Sequence, residues 1–302
     1  MQPYVYIIIL NWNGLEDTSE CLESLKKLDY DNFDVILVDN NSSGDDVKAI
    51  EEQFGDFILK IIVNNSNLGF SGGNNVGIKY ALENGADYVL LLNNDTVVEP
   101  DFLSRMIGSE KNDKSTGIIT PMINYYSNKD KIWSAGGNIR KIKASGFTFG
   151  YNENAEKHNY DKLCTFASGC CMLIKSEVIK DVGLLDENYF LYLEDTDYCQ
   201  RTLDAGYKIL YVGSSRIYHK VFSTTTKQNA MLPLYYSVRN RLYFAKKNLG
   251  FFFYLAFFYL ATVFLIKAIF VNKFDKEMLK VVYLSFKDFF QNKMGKTDIF
   301  DS

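Results

Sequence analysis

The sequence lacks any CxxC pair, although five cysteines are spread through its 302 residues. Cys21 and Cys199 fall in predicted helices, and Cys164, Cys170 and Cys171 lie in or near one predicted strand. No pairing pattern suggests a disulfide framework, so the reduced thiols of a cytosolic protein are expected. Basic excess is absent as well. A net charge of −4 with a pI near 5.4 offers no general attraction to a polyanion, and a nucleic-acid partner is not expected. The N-terminus enters an apolar run almost at once, without a charged n-region or cleavage site, so a secretory signal is not expected. There is no internal sequence repeat, no GxGxxG dinucleotide fingerprint and no evident Ser-His-Asp constellation. Histidine is scarce too: His158 sits in a polar stretch that reads as solvated surface, which leaves His219.

What is present is a globular composition, 47% apolar, 15% aromatic and 23% charged. The length suits one large α/β domain, or one domain with an appendage. Residues 5–10 form a continuous apolar run, the pattern of a strand buried on both faces. Leu15, Cys21, Leu22, Leu25 and Leu28 then recur at mostly three- and four-residue spacing, which predicts a helix. Strands are predicted at 34–38, 58–63 and 88–92, and helices around 47–54 and 75–83, with Gly85 closing the last. Such strict alternation predicts right-handed βαβ crossovers and a parallel sheet. Beyond Pro100 and a helix around 102–108 the regularity breaks. Strands are predicted at 118–123, 166–174 and 208–212, the last ending at Gly213. Short strands and loops are expected over 124–162, a helix over 194–205, and helix from about Ala230 onward.

Polar clusters follow four predicted strands, which places one expected site along the carboxyl edge of the sheet. The most informative is Asn93-Asn94-Asp95, where an apolar run ends abruptly in two amides and a carboxylate. Asp95 there suits a divalent cation held against a phosphate, which points to a nucleotide diphosphate. After the first strand, Asn11-Trp12-Asn13-Gly14 sets a flat aromatic beside amides, as a stacked base requires. Its alternative is a helix N-cap with Trp12 packed in the core. Asp39, in Asp39-Asn40-Asn41-Ser42, either accepts N3–H of uracil or thymine or caps a helix. The glycines of Asn67-Leu68-Gly69-Phe70-Ser71-Gly72-Gly73-Asn74-Asn75 allow backbone amides close to a ribose or phosphate, or form a plain turn. Leu193-Glu194-Asp195-Thr196-Asp197 puts three carboxylates at a predicted helix start. They either favour the helix dipole or supply a base at the reaction centre. His219 follows the last strand as a candidate ligand.

In order along the chain, these residues resemble the inverting glycosyltransferases of family 2. The motifs are Ile8-Ile9-Leu10-Asn11-Trp12-Asn13, Val38-Asp39-Asn40-Asn41-Ser42, Asn67-Leu68-Gly69-Phe70, Leu92-Asn93-Asn94-Asp95, Phe190-Leu191-Tyr192-Leu193-Glu194-Asp195 and Tyr218-His219. They look closest to the rhamnosyltransferase-like branch that builds surface polysaccharides, over about residues 5–248. The resemblance implies a GT-A fold, a Rossmann-like α/β domain with a mostly parallel sheet over residues 1–228 and a helical region over 229–302. It implies metal-dependent, inverting transfer of a sugar from a UDP- or dTDP-sugar to a glycan or polyprenyl-linked acceptor. Asn11, Trp12, Asn13, Asp39, Asn67, Gly69, Phe70, Asn74, Asn93, Asn94 and Asp95 would then form the nucleotide-sugar site, with Asp39 reading the base. Asp95 would bind Mg²⁺ or Mn²⁺, His219 would complete the metal and diphosphate site, and Asp195 would be the catalytic base. Glu194, Asp197, Arg239 and Asn240 are acceptor or accessory candidates. One departure from the family's DXD triplet is that Asn93 replaces its first acid, leaving Asp95 as the acidic side chain of the three. A sugar-1-phosphate nucleotidyltransferase is a rival, but its basic N-terminal loop has no counterpart in residues 10–20, which lack Arg and Lys. A non-catalytic sugar-nucleotide-binding module is the second.

Residues 248–266 are uncharged, and the apolar stretch continues past Lys267 to Val271. As one helix, 249–271 would reach roughly 34 Å at ~1.5 Å per residue. Lysines flank both ends and give no orientation. Met278, Val282, Phe286 and Phe289 mark one face of a following helix. Three readings compete: monotopic contact of 249–290 with the inner leaflet at the cytoplasmic face, a true span, or a homodimer interface. Residues 220–229, with Ser223-Thr224-Thr225-Thr226, read either as a lid over the donor or as a surface loop.

Overall fold

The computed structural model describes residues 2–109, 115–221, 227–267 and 275–299. The expected alternation is realised as β1 (Val5–Asn11), α1 (Leu15–Leu25), β2 (Phe33–Asp39), α2 (Asp46–Phe54), β3 (Ile58–Val63), α3 (Gly69–Glu83) and β4 (Tyr88–Asn93). β1 pairs in parallel with β2 on one side and β4 on the other, and β2 carries β3. The order of connection therefore reverses between β1 and β4, which opens a crevice beyond their carboxyl ends. Ile7 and Ile9 enter one core while Ile8 enters the other. Burial on both faces is why the run reads as continuously apolar.

The chain continues through β5 (Thr96–Val98), α4 (Phe102–Ser109), β6 (Thr116–Tyr125), β7 (Ile132–Ser134), β8 (Gly137–Arg140), β9 (Ser145–Thr148) and β10 (Lys162–Cys164). Then come β11 (Cys171–Lys175), α5 (Ser176–Val182), α6 (Glu194–Asp204) and β12 (Lys208–His219). Among the described residues the main sheet runs β10-β12-β6-β11-β4-β1-β2-β3. β11 lies antiparallel between β4 and β6, β12 runs parallel to β6, and β8 with β9 makes a separate hairpin.

Three local expectations are corrected. The glycine segment is the first turns of α3 rather than a loop. A Cβ on Gly73 would lie 2.4 Å from Leu10 Cδ1, and one on Gly77 2.7 Å from Ile8 Cγ2, so these glycines let the helix settle onto β1. The strand expected from 166 starts at Cys171, because Cys171 N–H closes a turn onto Ser168 O at 3.2 Å. The strand expected to end at Gly213 instead passes through an irregularity between Val212 and Arg216 and runs on to His219. A Cβ at Gly213 would meet Tyr160 N at 2.4 Å, so the glycine marks a close backbone approach at a bulge.

The C-terminal region folds as α7 (Lys227–Asn248), α8 (Phe252–Ile266) and α9 (Lys276–Phe290). Val238, Leu242, Leu260, Phe264, Met278 and Phe289 bury one another between the three helices. Phe244, Ala245 and Ala256 pack with Ala144, Tyr189 and Leu193, which ties the helices to the sheet domain. Among the described residues no helix is long and apolar enough to cross a membrane, so the spanning alternative has no described helix behind it. Residues 268–271 of the apolar stretch, and 222–226 of the expected lid, lie outside the described residues. All five cysteines are free and buried.

Candidate active site

At the carboxyl ends of β1 and β2 the polar residues form a closed lattice. Asn11 is fully buried, and its Nδ2 lies 2.9 Å from Asp39 Oδ1, 3.1 Å from Ser42 Oγ and 3.1 Å from Asp46 Oδ2. Its carbonyl accepts Thr18 Oγ1 at 2.7 Å. Asn11 thus holds the β1 and β2 loops together, and its expected contact with a nucleotide is corrected to this internal role. Asp39, 1% exposed, also accepts Ser42 N at 2.9 Å and Ser42 Oγ at 2.6 Å. Those three donors leave it one of the roughly four lone-pair positions of a carboxylate. Trp12 stands out from this lattice at 56% exposure, which removes the alternative of a core tryptophan. Asn13, at φ +50°, accepts Ser43 N at 2.7 Å and fixes the turn that presents Trp12.

Asn67, Gly69, Phe70 and Asn74 form the neighbouring wall. Asn67 Oδ1 accepts Asn40 Nδ2 at 2.9 Å and Gly69 N at 2.8 Å. Asn74 is buried and donates to Phe70 O at 2.9 Å, which supports the first turn of α3. Phe70 N–H donates to Phe190 O at 2.8 Å, linking this wall to the segment that precedes Asp195.

β5 explains how residues 124 apart in sequence meet. Thr96 pairs with His219 in the β5–β12 ladder, which sets Asp95 beside the end of β12. His219 Nε2 lies 3.1 Å from Asp95 Oδ2. Trp133 packs edge-on against the imidazole with ring centroids 4.6 Å apart. Burial works against the imidazolium, yet Cys170 and Asp95 lift the pKa of His219 to about 10. Asp95 Oδ1 and His219 Nδ1 are both buried without a hydrogen-bond partner. An unpaired carboxylate oxygen beside an imidazole fits a divalent cation, with Mg²⁺ favoured by oxygen ligands and Mn²⁺ tolerating nitrogen. Among the described residues no group of three His, Cys, Asp or Glu side chains could hold a metal, so such a cation would take further ligands from the diphosphate. Asn94 Nδ2 donates to Thr18 Oγ1 at 2.9 Å, and Asn93 N–H donates to Cys170 O at 2.9 Å.

Asp195 lies in the first turn of α6, one residue after Glu194. Its Oδ2 accepts Gly169 N at 3.1 Å, and its Oδ1 accepts Thr196 N at 2.6 Å. The next residue, Cys170, is the one beside His219. Burial raises the pKa of Asp195, while the Gly169 and Thr196 hydrogen bonds pull it back. Glu194 is more deeply buried, and its Oε2 has no partner. Burial, then the charge of Asp195, pushes the Glu194 carboxyl well above the usual range. Asp195 opens on a cleft of about 370 Å³ lined by Ser145, Phe166, Tyr192, Ser237 and Arg241. A larger hollow of about 460 Å³ lies between α7, α9 and the C-terminal tail, lined by Tyr235, Arg239 and Lys293 among others and by none of the site residues at the carboxyl edge of the sheet.

Three accessory candidates turn out to hold the structure together. Asp197 has no exposure and is met by Arg201 Nε and Asn248 Nδ2 at 2.8 Å each and by Lys247 Nζ at 3.0 Å. Both oxygens are engaged within the fold. Arg239 donates to Gly295 O at 2.8 Å and stacks on Tyr235 and Tyr236, which pins the C-terminal tail to α7. Asn240 donates to Leu191 O at 2.9 Å and Tyr192 O at 3.0 Å. Tyr192 and Leu193 have φ of +68° and +75°, strained for non-glycine residues, and Asn240 anchors that bend just before Asp195. Gly169, Cys170 and Trp133 escaped the sequence reading because they lie in segments with no motif of their own.

The family model described as "Glycosyl transferase family 2" matches residues 6–183, more than half of the chain. The chain is 25% identical over 259 residues to the dTDP-rhamnosyl transferase RfbF of Shigella flexneri, covering 82% of each protein. It is 26% identical over 227 residues to the rhamnosyltransferase WbbL of Escherichia coli K12, covering 71% of this chain and 83% of that one. Among solved structures it is similar to a mannosyltransferase of Pyrobaculum calidifontis in complex with GDP-Man and Mn²⁺. That likeness has a TM-score of 0.62 at 13% identity and covers 97% of this chain and 88% of the other, and it bears on the fold alone. The fold is the expected GT-A type, a mostly parallel central sheet with C-terminal helices.

Proposed function

The chain belongs to glycosyl transferase family 2, in its rhamnosyltransferase-like branch, and we propose that it transfers one sugar from a UDP- or dTDP-sugar to a hydroxyl of a glycan or lipid-linked acceptor in surface-glycan synthesis. The observation that carries this reading is the segment Ser168-Gly169-Cys170, which touches Asp195 through Gly169 and adjoins His219 and Asp95 through Cys170. Two carboxylates flank one narrow strip, as the two ends of a displacement at an anomeric carbon require.

Trp12 stacks on the nucleobase, and Asp39 offers its remaining lone pair to N3–H. Asp95 and His219 would hold a divalent cation at the diphosphate. When bound, Mg²⁺ or Mn²⁺ would supply Lewis-acid stabilisation of the negative charge on the leaving group. Asp195, held by Gly169 and Thr196, takes the acceptor proton. The bond from acceptor oxygen to the anomeric carbon forms as the bond to the phosphate oxygen breaks, and its electron pair departs with the nucleoside diphosphate. Attack from the side opposite the leaving group inverts the centre. Support for a nucleotide-sugar donor comes from the dTDP-rhamnosyl relative.

The C-terminal helices would rest on the cytoplasmic leaflet. Phe251, Tyr254 and Phe258 on or beside α8, and Tyr283 and Phe290 on α9, are exposed aromatics of the kind an interfacial surface presents. The division at about residue 228 into a catalytic domain and a helical region is kept in this reading, although α7 contributes a wall of the cleft. A panel of UDP-, dTDP- and GDP-sugars, assayed for release of nucleoside diphosphate with Mg²⁺ or Mn²⁺, tests the proposal. Acceptor-dependent release from a UDP- or dTDP-sugar is expected, and no release from any donor would contradict it.

A further inference from the structure

Arg241 lies on the α7 face that walls the Asp195 cleft, one turn from Ser237 and two from Pro233. Its Nε is buried without a hydrogen-bond partner, and no carboxylate among the described residues forms an ion pair with it. The contrast with its neighbours is sharp. Arg201 is matched by Asp197 at 2.8 Å, and Arg239 donates to Gly295 O at 2.8 Å. A guanidinium stays charged in proteins, and an Nε shielded from water with no acceptor loses hydration that nothing in the fold replaces. Such a group points to an anion that is supplied from outside.

The cleft also has a position relative to the apolar surface. Its β9 wall starts at Ser145, immediately after Ala144, which packs in one cluster with Ala256 of α8. Lys141, on the same hairpin, sits 5.3 Å over the ring of Phe252. Ile142 at the hairpin tip is exposed, as are Phe251, Leu255 and Phe258 along α8. An anion at Arg241 would therefore have a proton-accepting carboxylate in its own cleft, and an apolar, aromatic surface packed against one wall of it.

We propose that Arg241 binds a phosphoryl group of the acceptor, the group that joins the sugar presenting its hydroxyl to Asp195 to an apolar carrier lying along α8. This rests on the glycosyltransferase reading and adds to it a subsite that selects phosphate-linked acceptors. The guanidinium fork suits a phosphate by paired charge-assisted hydrogen bonds. The carrier contributes apolar burial, and Arg241 contributes the choice of head group.

Calorimetric titration of the intact chain with farnesyl diphosphate, and with farnesol as its uncharged counterpart, tests the subsite without requiring turnover. Farnesyl diphosphate should bind the wild type more tightly than farnesol does. Arg241→Gln should weaken that binding by about tenfold or more and leave farnesol unchanged. Asp95→Ala, which disables the diphosphate end of the donor site, should leave farnesyl diphosphate binding intact. Ser237→Phe fills the cleft with Arg241 still present and should also abolish binding, which keeps the test decisive if Arg241→Gln fails to fold. Undiminished binding in folded Arg241→Gln or in Ser237→Phe overturns the proposal. So does equal affinity for farnesol in the wild type, or loss of farnesyl diphosphate binding in Asp95→Ala, which would place the probe in the donor site. Nucleoside diphosphate release from the donor is scored separately, so failure of the subsite and failure of the transferase reading are told apart.

Discussion

Gly169 donates its backbone N–H to Asp195 Oδ2 at 3.1 Å. A Cβ at Gly169 would lie 3.1 Å from Phe70 Cζ and 3.5 Å from the Cβ of Asp195, so the segment passes close beside the carboxylate. Substituting Gly169→Ala should press on Phe70, whose backbone N–H holds the Phe190 carbonyl in the segment leading to Asp195. We expect kcat to fall by about an order of magnitude with donor affinity little changed, since misplacing a reacting group by a fraction of an ångström is costly. Steady-state kinetics beside donor titration checks this. An unchanged kcat would mean that the close approach has no catalytic consequence.

Asn240→Ala removes two hydrogen bonds to the carbonyls of Leu191 and Tyr192. The left-handed pair Tyr192-Leu193 loses its anchor, so Asp195 should move from its place. A stability loss of about 1–3 kcal/mol is expected from the loss of the two hydrogen bonds. The distinctive readout is kinetic, with kcat falling while the Kd for the donor holds. A drop confined to thermal stability would leave Asn240 as a purely structural residue.

Asp197 and Asp195 should separate cleanly. Asp197 is enclosed by Arg201, Lys247 and Asn248, and Asp197→Ala would take the carboxylate from the half-buried Arg201 and leave Lys247 to Asp186 alone. Losing charge-assisted hydrogen bonds of this kind costs about 1.5–3 kcal/mol, so this variant should unfold at lower denaturant. Asp195→Asn should keep close to wild-type stability. Equal stability in both variants would argue against the structural role of Asp197.

The buried Glu194 carboxyl carries a raised pKa because of burial and then the neighbouring Asp195. The folded chain therefore keeps a proton that the unfolded chain releases near the ordinary glutamate pKa. As pH rises above that value, the unfolded state is favoured and stability falls until the folded pKa is passed. Glu194→Gln should remove this slope and be the more stable protein at neutral pH. Denaturation midpoints at acidic and neutral pH measure it, and identical pH slopes in the two proteins would contradict it.

Much of the fold was legible because its strongest signals are local. The apolar run that becomes β1 is buried on both faces, and the helix and strand periods alternate without interruption through β4. Asp95 and His219 were legible as separate strand ends, but their 3.1 Å approach depends on the short β5 pairing with β12. The glycine segment misled because its composition is that of a loop, while tight packing against Leu10 and Ile8 makes it helical. Asn11 and Asp197 misled for the opposite reason. Their residue types suit ligand contact, and only the packed structure shows partners on every side. Arg241 closes the segment Tyr235–Arg241, where Arg239 and Asn240 were the candidates, and its own significance lies in a missing partner.

The account depends on Asp95 and Asp195 acting at opposite ends of one reacting bond. The most direct measurement compares donor binding and acceptor-dependent transfer in Asp195→Asn and Asp95→Ala, using the nucleotide sugar that the wild type turns over. Asp195→Asn should bind that donor with Mn²⁺ as the wild type does and lose transfer by about 10²- to 10⁴-fold, while Asp95→Ala should lose donor binding as well. Transfer at the wild-type rate by Asp195→Asn, or undiminished metal-dependent donor binding by Asp95→Ala, would contradict it.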